Sequence, residues 1–181
     1  MYAENDTVPE AKFPDAQPES GYQTVTWTPA KTTALSTTNT AYNKATKTFT
    51  FKASATKKSD KDVIPYIPGN GNDPTNPDDN NVPKKDSENN PIDKNDYNII
   101  AFKVADDDKA KGSLTLGDKD KEQVISVLVK KNSTWAKVTV PTINVVDANT
   151  TKANSYDPAI PAKTATVETV SYTHLTLPTT F

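Results

Sequence analysis

The chain predicts a mainly β protein in which two small β modules, β-grasp-like or Ig-like, are joined by a polar tether. Three observations carry that expectation. First, a segment occurs twice: Thr7-Val8-Pro9, Asp15-Ala16 and Pro29-Ala30-Lys31-Thr32 return 132 positions later as Thr139-Val140-Pro141, Asp147-Ala148 and Pro161-Ala162-Lys163-Thr164. Self-similarity along a chain is how extended, multi-module proteins are built. Second, apolar residues gather at 23–55 and 98–145 and leave the middle nearly bare, which is too uneven for one core. Third, the apolar runs are short, β-branched and rich in Thr and aromatics, as strands are.

In the first module, Ser20-Gly21 signals a turn, and Tyr22-Gln23-Thr24-Val25-Thr26-Trp27 alternates so that Val25 and Trp27 share a face. Residues 48–53 alternate as strictly, which predicts a strand with Phe49, Phe51 and Ala53 inward. Val63-Ile64-Pro65-Tyr66-Ile67-Pro68 reads as an extended piece docking on the end of that module. Residues 69–96 offer only Val82 and Ile92 as apolar groups. So little burial does not offset the cost of ordering, and a disordered or extended linker is expected. Its prolines at 74, 77, 83 and 91 stiffen it toward polyproline II, and at ~3.1 Å per residue it would span up to roughly 90 Å.

The second module opens on the clearest strand of the chain, with Ile100, Phe102 and Val104 on one face. Ser113-Leu114-Thr115-Leu116-Gly117 gives a second strand, and Val124-Ile125-Ser126-Val127-Leu128-Val129 a buried third. Residues 132–137 predict one helical turn capped by Ser133, and residues 139–146 a further strand. The expected organisation is therefore 7–67 as the C-terminal part of a first module, 68–96 as linker, and 97–169 as a second, truncated module. Residues 170–181 form a tail foreign to it. There, Val170-Ser171-Tyr172-Thr173-His174-Leu175-Thr176-Leu177-Pro178-Thr179 resembles the translation of a sequencing-library adapter. That resemblance implies that native sequence stops near Thr169.

Composition narrows function. The net charge is -2 and all 21 basic residues are Lys. Without a basic face or an Arg fork, nucleic-acid partners are not expected. The absence of Cys excludes disulfides and thiolate metal sites. No apolar run approaches the ~20 residues of a membrane span, and Met1 leads into polar residues instead of an export signal, as expected of a fragment.

No residue is assigned a catalytic, cofactor-binding or metal-binding role, and no cofactor is expected. Asp106-Asp107-Asp108 and Asp118/Asp120 lack calcium-loop spacing and have Lys109, Lys111, Lys119 and Lys121 beside them, which favours solvated turns. The only His, His174, sits in the tail, so a nucleophilic triad has no base. Gly69-Asn70-Gly71-Asn72 lacks the ending of a phosphate loop. Trp27, Tyr22 and Trp135 are candidates for a ligand-contacting patch, with core packing the simpler reading of both tryptophans. Lys52 and Lys103 lie on strands and are weighed for Lys–Asn isopeptide bonds, but they fall on polar faces. Leu177-Pro178-Thr179-Thr180 is short of a sorting signal because no Gly follows.

Residues 62–69, then Asn81-Val82-Pro83-Lys84-Lys85-Asp86 and Asn90-Pro91-Ile92-Asp93, resemble the joints between tandem repeats of Gram-positive cell-surface proteins. Residues 112–118 and 124–131 are similar to strands of the same repeats. Gly21-Tyr22-Gln23-Thr24-Val25-Thr26-Trp27 keeps the Gly, Tyr and Trp of repeats of the Listeria–Bacteroides type, whereas the second copy has only Tyr156 nearby. The resemblance implies a non-enzymatic stalk of monomeric modules, extracellular and cell-wall associated, that projects an adhesive or other head domain. The alternative it leaves open is that the modules themselves bind a host matrix protein or a glycan.

Overall fold

The computed structural model describes residues 2–69, 73–145, 150–151, 156–174 and 177–178. The chain divides into two compact units, Met1–Ser59 and Asp60–Phe181. The described residues are mainly β. They include short 3-10 turns but no α-helix, so neither unit offers the helix that a β-grasp lays across its sheet.

Unit 1 contains β1 (Tyr22–Thr28), β2 (Tyr42–Asn43), β3 (Thr48–Phe49) and β4 (Lys52–Lys57). β1 pairs antiparallel with β4, placing Trp27 opposite Ala53 and Val25 opposite Ala55. The alternation read from the sequence holds along β1, where Gln23, Val25 and Trp27 are half-buried between exposed neighbours. The strand expected over residues 48–53 is instead divided. Thr48 and Phe49 turn back onto Tyr42 and Asn43, the Thr50 amide donates to the Ala41 carbonyl at 3.0 Å, and β4 starts only at Lys52. Ala53, expected inward, is exposed with the rest of β4. The interior is a chain of rings: Phe13 lies edge-on to Trp27 at 5.3 Å and to Phe51 at 4.9 Å, and Phe51 meets Phe49 at 5.1 Å.

Unit 2 contains β5 (Val63–Tyr66), β6 (Tyr97–Val104), β7 (Gly112–Leu116), β8 (Lys119–Glu122), β9 (Val124–Lys130), β10 (Thr142–Val145), β11 (Thr150–Thr151), β12 (Tyr156–Asp157), β13 (Val170–His174) and β14 (Leu177–Pro178). One sheet runs β12-β13-β6-β9-β5 and a second runs β10-β7-β8. They face each other across one apolar cluster. Ile100, Phe102 and Val104 of β6 and Ile125, Val127 and Val129 of β9 meet Leu114 of β7 and Ile143 of β10. Trp135, Tyr156, Val167 and Tyr172 close its margins. Every large side chain in the fully buried core of the described residues belongs to this unit.

Val63–Tyr66 does not dock on the first module. It pairs antiparallel with β9 and forms an edge of the larger sheet of unit 2. The expected linker is also not a linker. Val82 and Ile92 pack with Tyr66, Tyr97, Ile99 and Leu128 in a second apolar cluster on the other face of that sheet. The Ser126 hydroxyl of β9 donates to the Pro74 carbonyl at 2.8 Å. Residues 73–95 are thus a cover laid over the sheet, and β6 and β9 are apolar at most positions because both of their faces are enclosed.

A cover with so few apolar groups and so little regular structure still has to satisfy its backbone. It does so through side-chain oxygens that accept the amide two residues on. Asp73 accepts from Thr75 at 2.9 Å, Asn76 from Asp78 at 2.9 Å, Asp79 from Asn81 at 2.7 Å, Asp86 from Glu88 at 2.9 Å and Asp93 from Asn95 at 3.1 Å. These are Asx turns, the conformation for which Asp and Asn are suited. The Gly69 amide donates to both carboxylate oxygens of Asp79 at 3.1 and 2.9 Å. A Cβ at Gly69 would stand 3.0 Å from that carboxylate, so a larger residue there needs the Asp79 side chain to give by a few tenths of an ångström.

Two smaller differences follow from geometry. The helical turn is Trp135–Lys137, and its flanking residue is Thr134 without a side-chain cap, so Ser133 does not cap it. The strand expected over 139–146 is confined to Thr142–Val145, with Val146 outside the described residues. The segment read as a foreign tail supplies β13, which runs parallel to β6 with Tyr172 beside Phe102 and buried.

Phe102 has no exposed surface, so Phe102→Ala is expected to lower the stability of unit 2 by roughly 3–5 kcal/mol in denaturant titration of the full chain. The cover makes its own prediction under limited trypsin digestion. Cleavage at Lys84, Lys85 and Lys94 should be slow in the native chain and become fast in Val82→Asp. A linker would be cut quickly in both.

Candidate functional site

Four of the acidic groups weighed as metal ligands are paired locally. Asp106 bonds Lys109 at 2.7 Å, Asp108 bonds Lys111 at 2.9 Å and Asp118 bonds Lys119 at 2.8 Å. Asp120 accepts the Thr115 hydroxyl at 2.6 Å across β7 and β8. Among the described residues no three His, Cys, Asp or Glu side chains come together as a metal would need. The neighbouring ammonium groups hold the Asp106 and Asp118 carboxyls below the ordinary aspartate range, first by hydrogen bonding and then by charge. Carboxyls held ionised in this way are poor general acids. Burial raises the phenols of Tyr66, Tyr156 and Tyr172. Tyr156 is pushed up by desolvation alone while its hydroxyl donates to the Pro141 carbonyl at 3.2 Å.

The three candidate aromatic residues do not form one patch. Trp135 is buried in unit 2, edge-on to Tyr172 at 5.3 Å, as core packing requires. Tyr22 is exposed on β1. Trp27 is half-buried, in a group the sequence reading missed: Lys31 sits with Nζ 5.4 Å from the Phe13 ring and 5.7 Å from the Trp27 ring. Glu10 holds the same ammonium at 3.5 Å. The signal for this cluster was present in the repeat, which carries Lys31 in its Pro-Ala-Lys-Thr turn. That turn is kept in both copies. The Thr33 amide donates to Ala30 at 2.8 Å and the Ala165 amide to Ala162 at 2.9 Å.

Two surface clefts accompany these features. In unit 1 a cleft of about 470 Å³ is lined by Val8, Leu35, Tyr42, Phe49 and Phe51, with polar groups at its rim. In unit 2 a cleft of about 570 Å³ at one end of the larger sheet mixes Lys103, Asp106, Lys109, Lys121 and Glu122. Lys103 therefore faces a charged cleft, and Lys52 is exposed on β4. Neither lies in the buried core that an isopeptide bond requires. Asn70, Gly71 and Asn72 of the glycine-rich run and Thr179 and Thr180 of the sorting-like run lie outside the described residues. No helix among the described residues is long and apolar enough to cross a membrane.

Comparison with known proteins finds no match to a family model, to a curated protein or to a solved structure. The likeness to Gram-positive surface repeats therefore rests on the joint and strand residues themselves.

The direction of the aspartate shifts fixes a pH dependence. A carboxyl whose folded value is depressed adds stability that is complete above the unfolded value and is lost as pH falls through the folded one. NMR titration should show Asp106 and Asp118 protonating below an ordinary aspartate. Salt should move both back toward it, because both groups are solvent-exposed and screened.

Proposed function

We propose that this chain is part of a non-catalytic, extracellular, wall-associated stalk of a Gram-positive cell surface, in which each β module transmits tension and adds length beneath a head domain. The observation that carries the reading is the direction of three strands in unit 2. β5 and β6 both run antiparallel to β9, and β13 runs parallel to β6. The chain accordingly enters the larger sheet at the pole where β5 starts, and β13 delivers it to the opposite pole.

That direction is established before Val170. The Asn98 side-chain amide donates to the Val167 carbonyl at 2.8 Å, and the Ile99 amide donates to the Thr169 hydroxyl at 3.2 Å. Residues 167–169 thus already run alongside the start of β6, whatever the origin of the tail. A module loaded from pole to pole has its strands sheared along their length, and many ladder hydrogen bonds share the load. A module loaded at one pole is peeled, and its bonds break singly. The shear arrangement suits a spacer in a tandem array, where neighbours contribute little beyond their joints.

Force spectroscopy on the full chain tests this directly. Handles at residues 60 and 174 should give a rupture force several times that of handles at residues 62 and 130, which sit side by side where the Lys130 amide donates to the Asp62 carbonyl at 2.9 Å. Equal forces in the two geometries would remove the support for a load-bearing role.

A further inference from the structure

The apolar cleft of unit 1 has a counterpart in unit 2, and there it is filled. At the 132-residue spacing, Val8 corresponds to Val140, Phe13 to Val145 and Leu35 to Val167. In unit 2, Val140 and Val145 pack against the core between the sheets, and Val167 is wholly buried in it. In unit 1, Val8 and Leu35 line the open cleft with Tyr42, Phe49 and Phe51, and all of these remain half-exposed.

The backbone shows the same difference. Thr142–Val145 is a strand because β7 pairs with it. Its equivalent in unit 1, the Glu10–Lys12 segment, has no such partner among the described residues and coils into a 3-10 turn. The repeated Pro-Ala-Lys-Thr turn is intact in both units. In unit 2 the space over these positions is occupied by β6, β7 and β9. In unit 1 the corresponding space is the open cleft.

We propose that the unit 1 cleft is a strand-acceptor site whose occupant is a second Tyr97–Lys130 block: a β6–β9 hairpin assembly supplied by another repeat, with its β-branched face turned onto Val8, Leu35 and Phe49. The chemistry fits. That face presents Ile100, Phe102, Ile125, Val127 and Val129, an apolar surface matched to an apolar cleft, and strand addition supplies the backbone partner that Glu10–Lys12 lacks. The proposal does not rest on the stalk reading. Complementation would hold equally if the modules bound ligands.

The test uses the whole chain with a second copy of residues 60–132 placed directly before residue 1, which reproduces the natural repeat spacing and adds no Trp. Amide exchange is read at Asn5, Leu35 and Thr50, which now bond only within unit 1. Exchange at these amides should slow by an order of magnitude or more, binding of a hydrophobic dye to the chain should fall, and the Trp27 emission should shift to the blue. Val127→Asp in the added block, or Leu35→Asp in the cleft, should cancel all three changes while exchange in the original unit 2 stays the same. The proposal is overturned if the added block leaves unit 1 exchange unchanged. It is also overturned if the unextended chain sediments as a dimer protecting the same amides, since self-association would then be what the cleft is for.

Discussion

Enclosure of β6 and β9 on both faces is the constraint from which the rest of unit 2 follows. Two adjacent strands that are apolar at almost every position cannot leave either side to water, since each large side chain buried contributes roughly 1.5–3 kcal/mol. One side is taken by a second sheet, the usual solution for a β domain. The other is taken by a coil, which is unusual, because coil normally brings unsatisfied backbone with it. The Asx turns remove that objection. Two well-placed apolar residues, Val82 and Ile92, then suffice to seat it on Tyr66, Tyr97, Ile99 and Leu128.

This explains what the sequence revealed and what it concealed. β1, β6, β7 and β9 were legible because their periodicity is a local property of the chain. The cover was not legible, because mean composition treats Asp and Asn as water-seeking groups and takes no account of whether they accept an amide two positions away. Asp73, Asn76, Asp79, Asp86 and Asp93 look like the signature of disorder and act as its opposite. The same limit hid the aromatic group of unit 1. Phe13 lies in a Pro-punctuated stretch without periodicity, and only tertiary contact brings it to Trp27 and Phe51.

The repeat was legible as a pattern, but the pattern does not by itself impose a conformation. Pro-Ala-Lys-Thr forms the same turn twice because a tight turn is decided by its own residues. Thr-Val-Pro leads into a strand only where another strand is available to pair, because a ladder is decided by two segments. Trp27 and Trp135 illustrate the difference between the units. One ends half-exposed beside a lysine, the other is sealed beside Tyr172, and neither position was set by the residue type.

The turn oxygens of the cover have an evolutionary corollary. An amide oxygen serves a simple Asx turn as well as a carboxylate does, and Asn76 already stands in this role, as do Asn39 and Asn43 in unit 1. Exchange of aspartate for asparagine at Asp73 would leave the backbone where it is while altering the electrostatic coat of the module. Asp79 and Asp86 are exempt, because both oxygens of each are engaged. Shape and surface charge are thereby uncoupled at such positions, leaving a lineage free to retune ionic character there under selection without rebuilding the fold.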